Sequence, residues 1–423
     1  MSALPWYLLP DNSSVDSNGR RSIAGCDLID LAREYGTPLF VYDEAHMRAR
    51  CQEAVAAFPD GVAYATKAFL CKAMARLAFE EGMNLDVSTG GELHVALAAG
   101  VPADRLVFHG NNKSMRELTD AIDAGVGLIV IDSMVEIDKL SSVLEGRDRA
   151  VRAMVRVNPG VEAHTHDFLQ TGATDSKFGI GVNDGTARRA VDLIRTIPQL
   201  ELVGIHAHVG SQVFDVSSFA KAVEVIADFV AEIDVDALSI GGGLGVPYVE
   251  GEFAPTIPEW GLAINEAIDI TGLDVDVHAE PGRAIVARSA VTLYTAGTIK
   301  EIPGVRTYVS VDGGMSDNPR PVLYGSGYEV FMVRSTTAER DREIRLVGKH
   351  CESGDVIVWE GSVPSDLALG DILATPVTGA YGHTMGSNYN MVLRPPVVFA
   401  GDGDARLVVR RETYEDLMAR DVV

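Results

Sequence analysis

Basic residues are in short supply: 36 lysines and arginines stand against 60 aspartates and glutamates in 423 residues, a formal net charge of −24. Sequence-independent binding to nucleic acid or to an anionic membrane needs the opposite excess, so neither is an expected partner. An anionic substrate would have to be met by local arginines. Cysteine is rarer still, and Cys26, Cys51, Cys71 and Cys351 stand apart with no C-x-x-C spacing. That argues against a disulfide framework or a zinc knuckle and suits a reducing compartment. The opening MSALPWYLLPDNSS has no basic start and breaks at Pro10, and no apolar stretch approaches a membrane span. The cytoplasm is the expected location. Internal repeats, low-complexity tracts and long charge runs are missing too.

Apolar residues, in contrast, make up 47% of a chain too long for one typical domain. From about residue 60, eight short apolar β-type runs (61–67, 84–88, 105–110, 128–133, 151–158, 202–210, 236–243 and 275–282) alternate with segments of helical periodicity such as 71–82, 115–125 and 217–233. Eight such units over roughly 230 residues match the size of a TIM-type (β/α)8 barrel, placed at 36–290. A doubly wound open sheet has the same alternation and is the competing architecture. Past residue 290 the texture changes to closely spaced β runs with turn signals, among them RTYVSVDGG and DVIVWEG. Residues 291–423 thus predict a C-terminal β domain of sandwich or barrel type, completed by residues 1–35.

Barrels of this kind carry their chemistry at the C-terminal ends of the strands. Polar residues collect there: Lys67; Asp86 and Ser88; His109; Arg156 and Asn158; His206, His208 and then Ser211; Gly241 to Gly243; and Glu280, Gly282 and Arg283. Lys67 closes the apolar run YATK, where a lysine either snorkels to water or, desolvated, turns nucleophile. The IGGGLG run is either a tight turn or a set of backbone N–H groups facing an anion. With Ser211 and the Gly282-Arg283 turn beside it, a phosphate cradle is the better reading, since loops after strands seven and eight commonly bind phosphate. The run lacks the G-x-G-x-x-G frame of a dinucleotide site. Glu280 pairs either with Arg283 or with a protonated ring nitrogen. A reactive amine, a phosphate cradle and a carboxylate for a ring nitrogen together describe a pyridoxal phosphate site. The pairs His164-Thr-His166 and His206-Ala-His208 leave open a zinc-dependent barrel hydrolase, although HTHD falls in a loop and no H-x-H lies on the first strand; the reading adopted includes no metal.

The blocks YATKA, DVSTGGEL, HGNNKS, RVNPGV, HTHDFLQTGATDSKFGIG, HAHVGSQ, GGGLG, EPGRA, DGGMSDNPRPVLY, CESGD and GAYGHTMGSNYN occur in order across nearly the whole chain. In this the chain resembles the meso-diaminopimelate decarboxylases, which are fold-type III pyridoxal phosphate enzymes. Ornithine and arginine decarboxylases of the same fold share Lys67, HVGS, the glycine triplet and EPGR, whereas DNPRP, CES and SNYN favour the diaminopimelate branch. The resemblance implies decarboxylation of meso-2,6-diaminopimelate to L-lysine and CO2, the last step of lysine biosynthesis. Lys67 would carry the cofactor, Asp86 would help bind it, His208 would stack on its ring and Glu280 would meet the ring nitrogen. Ser211, Gly241, Gly242, Gly243, Gly282, Arg283 and Tyr381 would hold the phosphate. Arg283, Arg320, Tyr324, Glu352 and Tyr381 would bind substrate, the arginines taking the distal carboxylate and Glu352 the distal ammonium. Ornithine, without that carboxylate, would leave buried guanidinium groups unpaired and is an expected poor substrate. Cys351, which alone reads equally as a small buried hydrophobe, would return the proton. The resemblance also implies a homodimer in which Cys351 and Glu352 reach the partner's active site. Gly382, after Tyr381, departs from the larger residue expected there.

Overall fold

A computed structural model describes residues 4–160 and 176–422; His164, His166 and most of the block containing them lie outside the described residues. Contacts divide the chain into two compact units, one of residues 50–246 and 254–284, the other of residues 1–49, 247–253 and 285–423.

The first unit is a closed barrel. Its strands are β1 (Gly61–Ala65), β2 (Asn84–Val87), β3 (Leu106–Phe108), β4 (Leu128–Ile131), β5 (Val151–Asn158), β6 (Leu200–Ala207), β7 (Ala237–Ser239) and β8 (Asp276–Ala279). Each pairs in parallel with its neighbour, β8 returns to β1, and β4 pairs with β5, so the open-sheet alternative falls. Strands covered on both faces need near-continuous apolar runs, which these have; Ala63, Val107, Val130, Met154, Val203 and Ala237 pack as one cluster. Helices fill the crossovers where sequence caps them: Ser114 and Glu117 form a capping box at Met115–Ala124, and Thr256 and Glu259 another at Ile257–Thr271. Register then aligns chemistry. Arg156 on β5 sits opposite His206 on β6, and His206 opposite Ser239 on β7.

The second unit is built around the long strand Ala290–Ile302, which pairs with Arg306–Val311, Ile372–Pro376 and Leu39–Asp43. Leu39–Asp43 is buried at all five residues and lies between Ala290–Ile302 and, in parallel, Val397–Gly401. The barrel unit therefore begins near residue 50 rather than 36, because Leu39–Asp43 is a central strand of the other sheet. N-terminal residues do complete this β unit: Leu4, Leu9, Ile23, Leu28 and Leu31 share a core with Val291, Leu293, Phe331 and Val398. Among the described residues no helix is long and apolar enough to cross a membrane.

Candidate active site

The β1 strand stops at Ala65, two residues before the lysine. Thr66–Ala68 form a 3-10 turn in which Thr66 and Ala68 are buried and Lys67 is exposed. The Thr66 hydroxyl donates to the Asp86 carbonyl at 2.8 Å and ties this turn to β2. Lys67 thus leaves the end of the barrel from a fixed turn, two residues past the strand expected to end on it.

Around it the strand ends form one charged cluster. Glu280, after β8, has one oxygen 3.0 Å from His206 Nε2, while the other accepts from the Ser239 hydroxyl at 2.9 Å. That second oxygen also lies 3.2 Å from His109 Nε2, and His109 Nε2 is 3.8 Å from Asp86. Burial alone would raise the Glu280 carboxyl, but His109 and His206 hold it well below the usual carboxylate range. His109 is buried between two carboxylates, which outweigh desolvation and raise its pKa. Burial pushes Asp86 up to about 6, against the pull of His109, and holds His206 down to about 4. His208 is driven well below its ordinary value by desolvation and by the nearby Lys67 and Arg156 cations. Its Nδ1 accepts the Gly242 N–H at 3.2 Å, which assigns the proton of the neutral ring to Nε2. Arg156 lies 3.6 Å from Asp132 and over the Phe178 ring.

The glycine triplet is shaped for close approach. Gly241 and Gly243 have φ of +67° and +115°, and a Cβ on Gly242 or Gly243 would stand 2.2 Å from the Glu280 carbonyl or 2.1 Å from that of Gly210. No side chain fits there. Arg283 is buried and donates to the Ser211 hydroxyl at 2.9 Å, so the loops after β6 and β8 meet beside the triplet. An amine on a fixed turn, a carboxylate held ionised and a side-chain-free backbone cradle with an arginine and a serine are the donor set pyridoxal phosphate needs. His109, His206 and Glu280 also place three ligand atoms within 4.8 Å of one another, a set a divalent cation could use; in the chain His206 is hydrogen-bonded to Glu280 and His109 faces it as an ion pair.

In the β unit, three of the quoted blocks pack together. Asp355 accepts from the backbone N–H groups of Met315 at 2.6 Å and His350 at 2.8 Å, and Asn390 accepts from the Cys351 N–H at 3.2 Å. The His350 ring sits 2.9 Å from the Ser316 hydroxyl. This network fixes the backbone of a turn whose Cys351 and Glu352 side chains are exposed, so Cys351 is not the buried hydrophobe that was its alternative. Arg320 is buried and starts the short helix Arg320–Tyr324, with Tyr324 half-buried at its end. Tyr381 is half-buried with φ +60°, in a segment anchored by the Tyr42 hydroxyl on the Gly379 carbonyl at 2.8 Å. At Gly382 a Cβ would lie 2.8 Å from the Thr378 carbonyl and 3.1 Å from Phe40, so the missing side chain answers a local lack of space.

Residues 44–287 match the family described as pyridoxal-dependent decarboxylase, pyridoxal binding domain. A curated diaminopimelate decarboxylase of Mycobacterium tuberculosis is 46% identical over 98% of this chain and 97% of its own length. The chain belongs to the diaminopimelate decarboxylase family. The Bacillus subtilis member is 43% identical with 98% of each chain covered, and the crystal structure of the M. jannaschii diaminopimelate decarboxylase in complex with L-lysine superposes with a TM-score of 0.90 at 32% identity over 98% of each chain. Pyridoxal phosphate is the cofactor of this family. Sequence reading passed over Ser239, whose LSIGGG setting looks like core; its signal is the register that places it beside His206, facing the same carboxylate. It also missed Tyr248 and Tyr328, the neighbours of Arg320.

Proposed function

We propose that the chain decarboxylates meso-diaminopimelate to L-lysine and CO2, the last step of lysine biosynthesis. The observation that carries the chemistry is Glu280, largely buried yet held ionised by His206, Ser239 and His109. When bound, pyridoxal phosphate supplies an electron sink for the pair left behind as CO2 departs. The chain's residues do the rest. Glu280 keeps a proton on the ring nitrogen, a preorganised electrostatic contribution of the kind that usually dominates catalysis. Lys67 provides the amine that carries the cofactor, and Asp86 faces the same cluster. His208, neutral and fixed by Gly242, suits stacking on the ring, while Ser211, Gly241 to Gly243, Gly282, Arg283 and Tyr381 hold the phosphate. Arg283, Arg320, Tyr324, Tyr381 and Glu352 bind the substrate, with Arg320 and Arg283 on the distal carboxylate. Cys351 returns the proton to the carbon that loses CO2.

The exposure of Cys351 and Glu352 on a backbone-fixed turn supports a homodimer in which each copy lends this turn to the other's active site. Four cysteines, none of them in a disulfide, support the cytoplasm as compartment.

The test is the absorbance spectrum of the purified enzyme before and after meso-diaminopimelate, with CO2 release followed alongside. A spectral change with CO2 from diaminopimelate and little from ornithine or arginine is the expected result. Faster turnover of ornithine or arginine would move the chain to that branch. Stoichiometric zinc in a colourless protein would instead favour a metal hydrolase.

A further inference from the structure

Arg320 is only 3% exposed, and among the described residues no carboxylate lies within 4 Å of it. A buried guanidinium is ordinarily paired, because an uncompensated charge is poorly tolerated away from water. Here the partners are aromatic and neutral. Arg320 Nη1 donates to the Tyr328 hydroxyl at 2.8 Å, and the guanidinium carbon stands 4.0 Å from the centre of the Tyr248 ring. The two tyrosines contact each other edge to face at 5.2 Å, so the cation occupies a two-walled aromatic corner. Tyr248 is itself pinned, its N–H donating to Glu252 at 2.8 Å.

Neutral partners hold a cation without cancelling it. A carboxylate in place of Tyr328 would neutralise Arg320 and compete with any incoming anion; a phenol and a ring face fix its position and leave its charge unspent. We propose that Tyr248 and Tyr328 are positioning residues that keep the Arg320 guanidinium in place for the distal carboxylate of the substrate, Tyr248 acting through its ring and Tyr328 through its hydroxyl. This rests on the reading that Arg320 takes that carboxylate. Neither tyrosine need touch the substrate. Their effect is on specificity for amino acids that keep a carboxylate at the far end, and the product L-lysine keeps it.

The two modes of action give opposite signatures in conservative variants. Calorimetric L-lysine binding to the holoenzyme, with steady-state kinetics on meso-diaminopimelate, reads them. Tyr328→Phe removes a hydrogen bond to a charged group, and should weaken L-lysine and raise KM about tenfold with kcat within about twofold of wild type. Tyr248→Phe keeps the ring and should stay within about twofold of wild type, whereas Tyr248→Leu loses the cation–π contact and should weaken lysine about tenfold. Wild-type lysine affinity in Tyr328→Phe, or equal damage from Tyr248→Phe and Tyr248→Leu, overturns the inference if Arg320→Met abolishes lysine binding. Unchanged lysine binding in Arg320→Met overturns the carboxylate reading, and the inference with it.

Discussion

The barrel cluster and the Cys351 turn hold their side chains in opposite ways. At the barrel strand ends Asp86, His109, His206, Ser239 and Glu280 are interlocked side chain to side chain, so the charge on each of the four titratable groups depends on the others. On the turn the interlocking is in the backbone, through Asp355 and Asn390, and the Cys351 and Glu352 side chains emerge into the open. The first arrangement fixes protonation before any ligand arrives. The second fixes only a position.

Breaking each region should therefore fail differently. The largest loss is expected from Lys67→Ala: the visible absorbance of the lysine-bound cofactor disappears and turnover falls roughly 10^3-fold or more. A coloured, active variant would remove the barrel from the chemistry. Glu280→Gln should retain cofactor but lower kcat by about 10^2 to 10^3, measured at saturating pyridoxal phosphate; a loss below tenfold would mean that the interlocked carboxylate is structural. Cys351→Ala sharpens the contrast. Colour and melting temperature should stay at wild-type values, since exposed substitutions usually shift stability by less than about 0.5 kcal/mol, while turnover drops about 10^2-fold. A lowered melting point would show that the turn is not merely a mount.

The smallest effect concerns a buried carboxyl behind the turn. Burial pushes Asp317 up to about 7 from 3.8, although it accepts from the Tyr294 hydroxyl at 2.6 Å and the Gly314 N–H at 2.7 Å. With the folded value above the unfolded one, this group's stabilisation is complete below 3.8 and is lost as pH rises through about 7. Asp317→Asn should accordingly gain melting temperature relative to wild type as pH rises from 4 to 8. Parallel melting curves for the two proteins across that range would refute the assignment.

The eight barrel strands were legible because parallel strands need continuous apolar runs, and those runs are local. The boundary was not. Leu39–Asp43 belongs to the other sheet through partners some 250 and 350 residues further along the chain, which no local pattern reveals. Lys67, Glu280 and the glycine triplet announce themselves as polar or small residues at strand ends. Ser239 and Tyr248 do not, since a serine or tyrosine among apolar residues is compatible with any core. Lys67 misled in one respect: YATKAFL hides the point at which strand becomes 3-10 turn.

The placement of Leu39–Asp43 also sets a timetable. During synthesis every barrel strand has been made by residue 279, so pairing within the barrel can close while the rest of the chain is still being added. Leu39–Asp43 is made earlier than any of them, yet its neighbours are Ala290–Ile302 and Val397–Gly401, the latter among the last strands produced. An apolar strand with both edges open must wait through most of translation, the state in which strands mispair. The chain begins its second unit first and finishes it last.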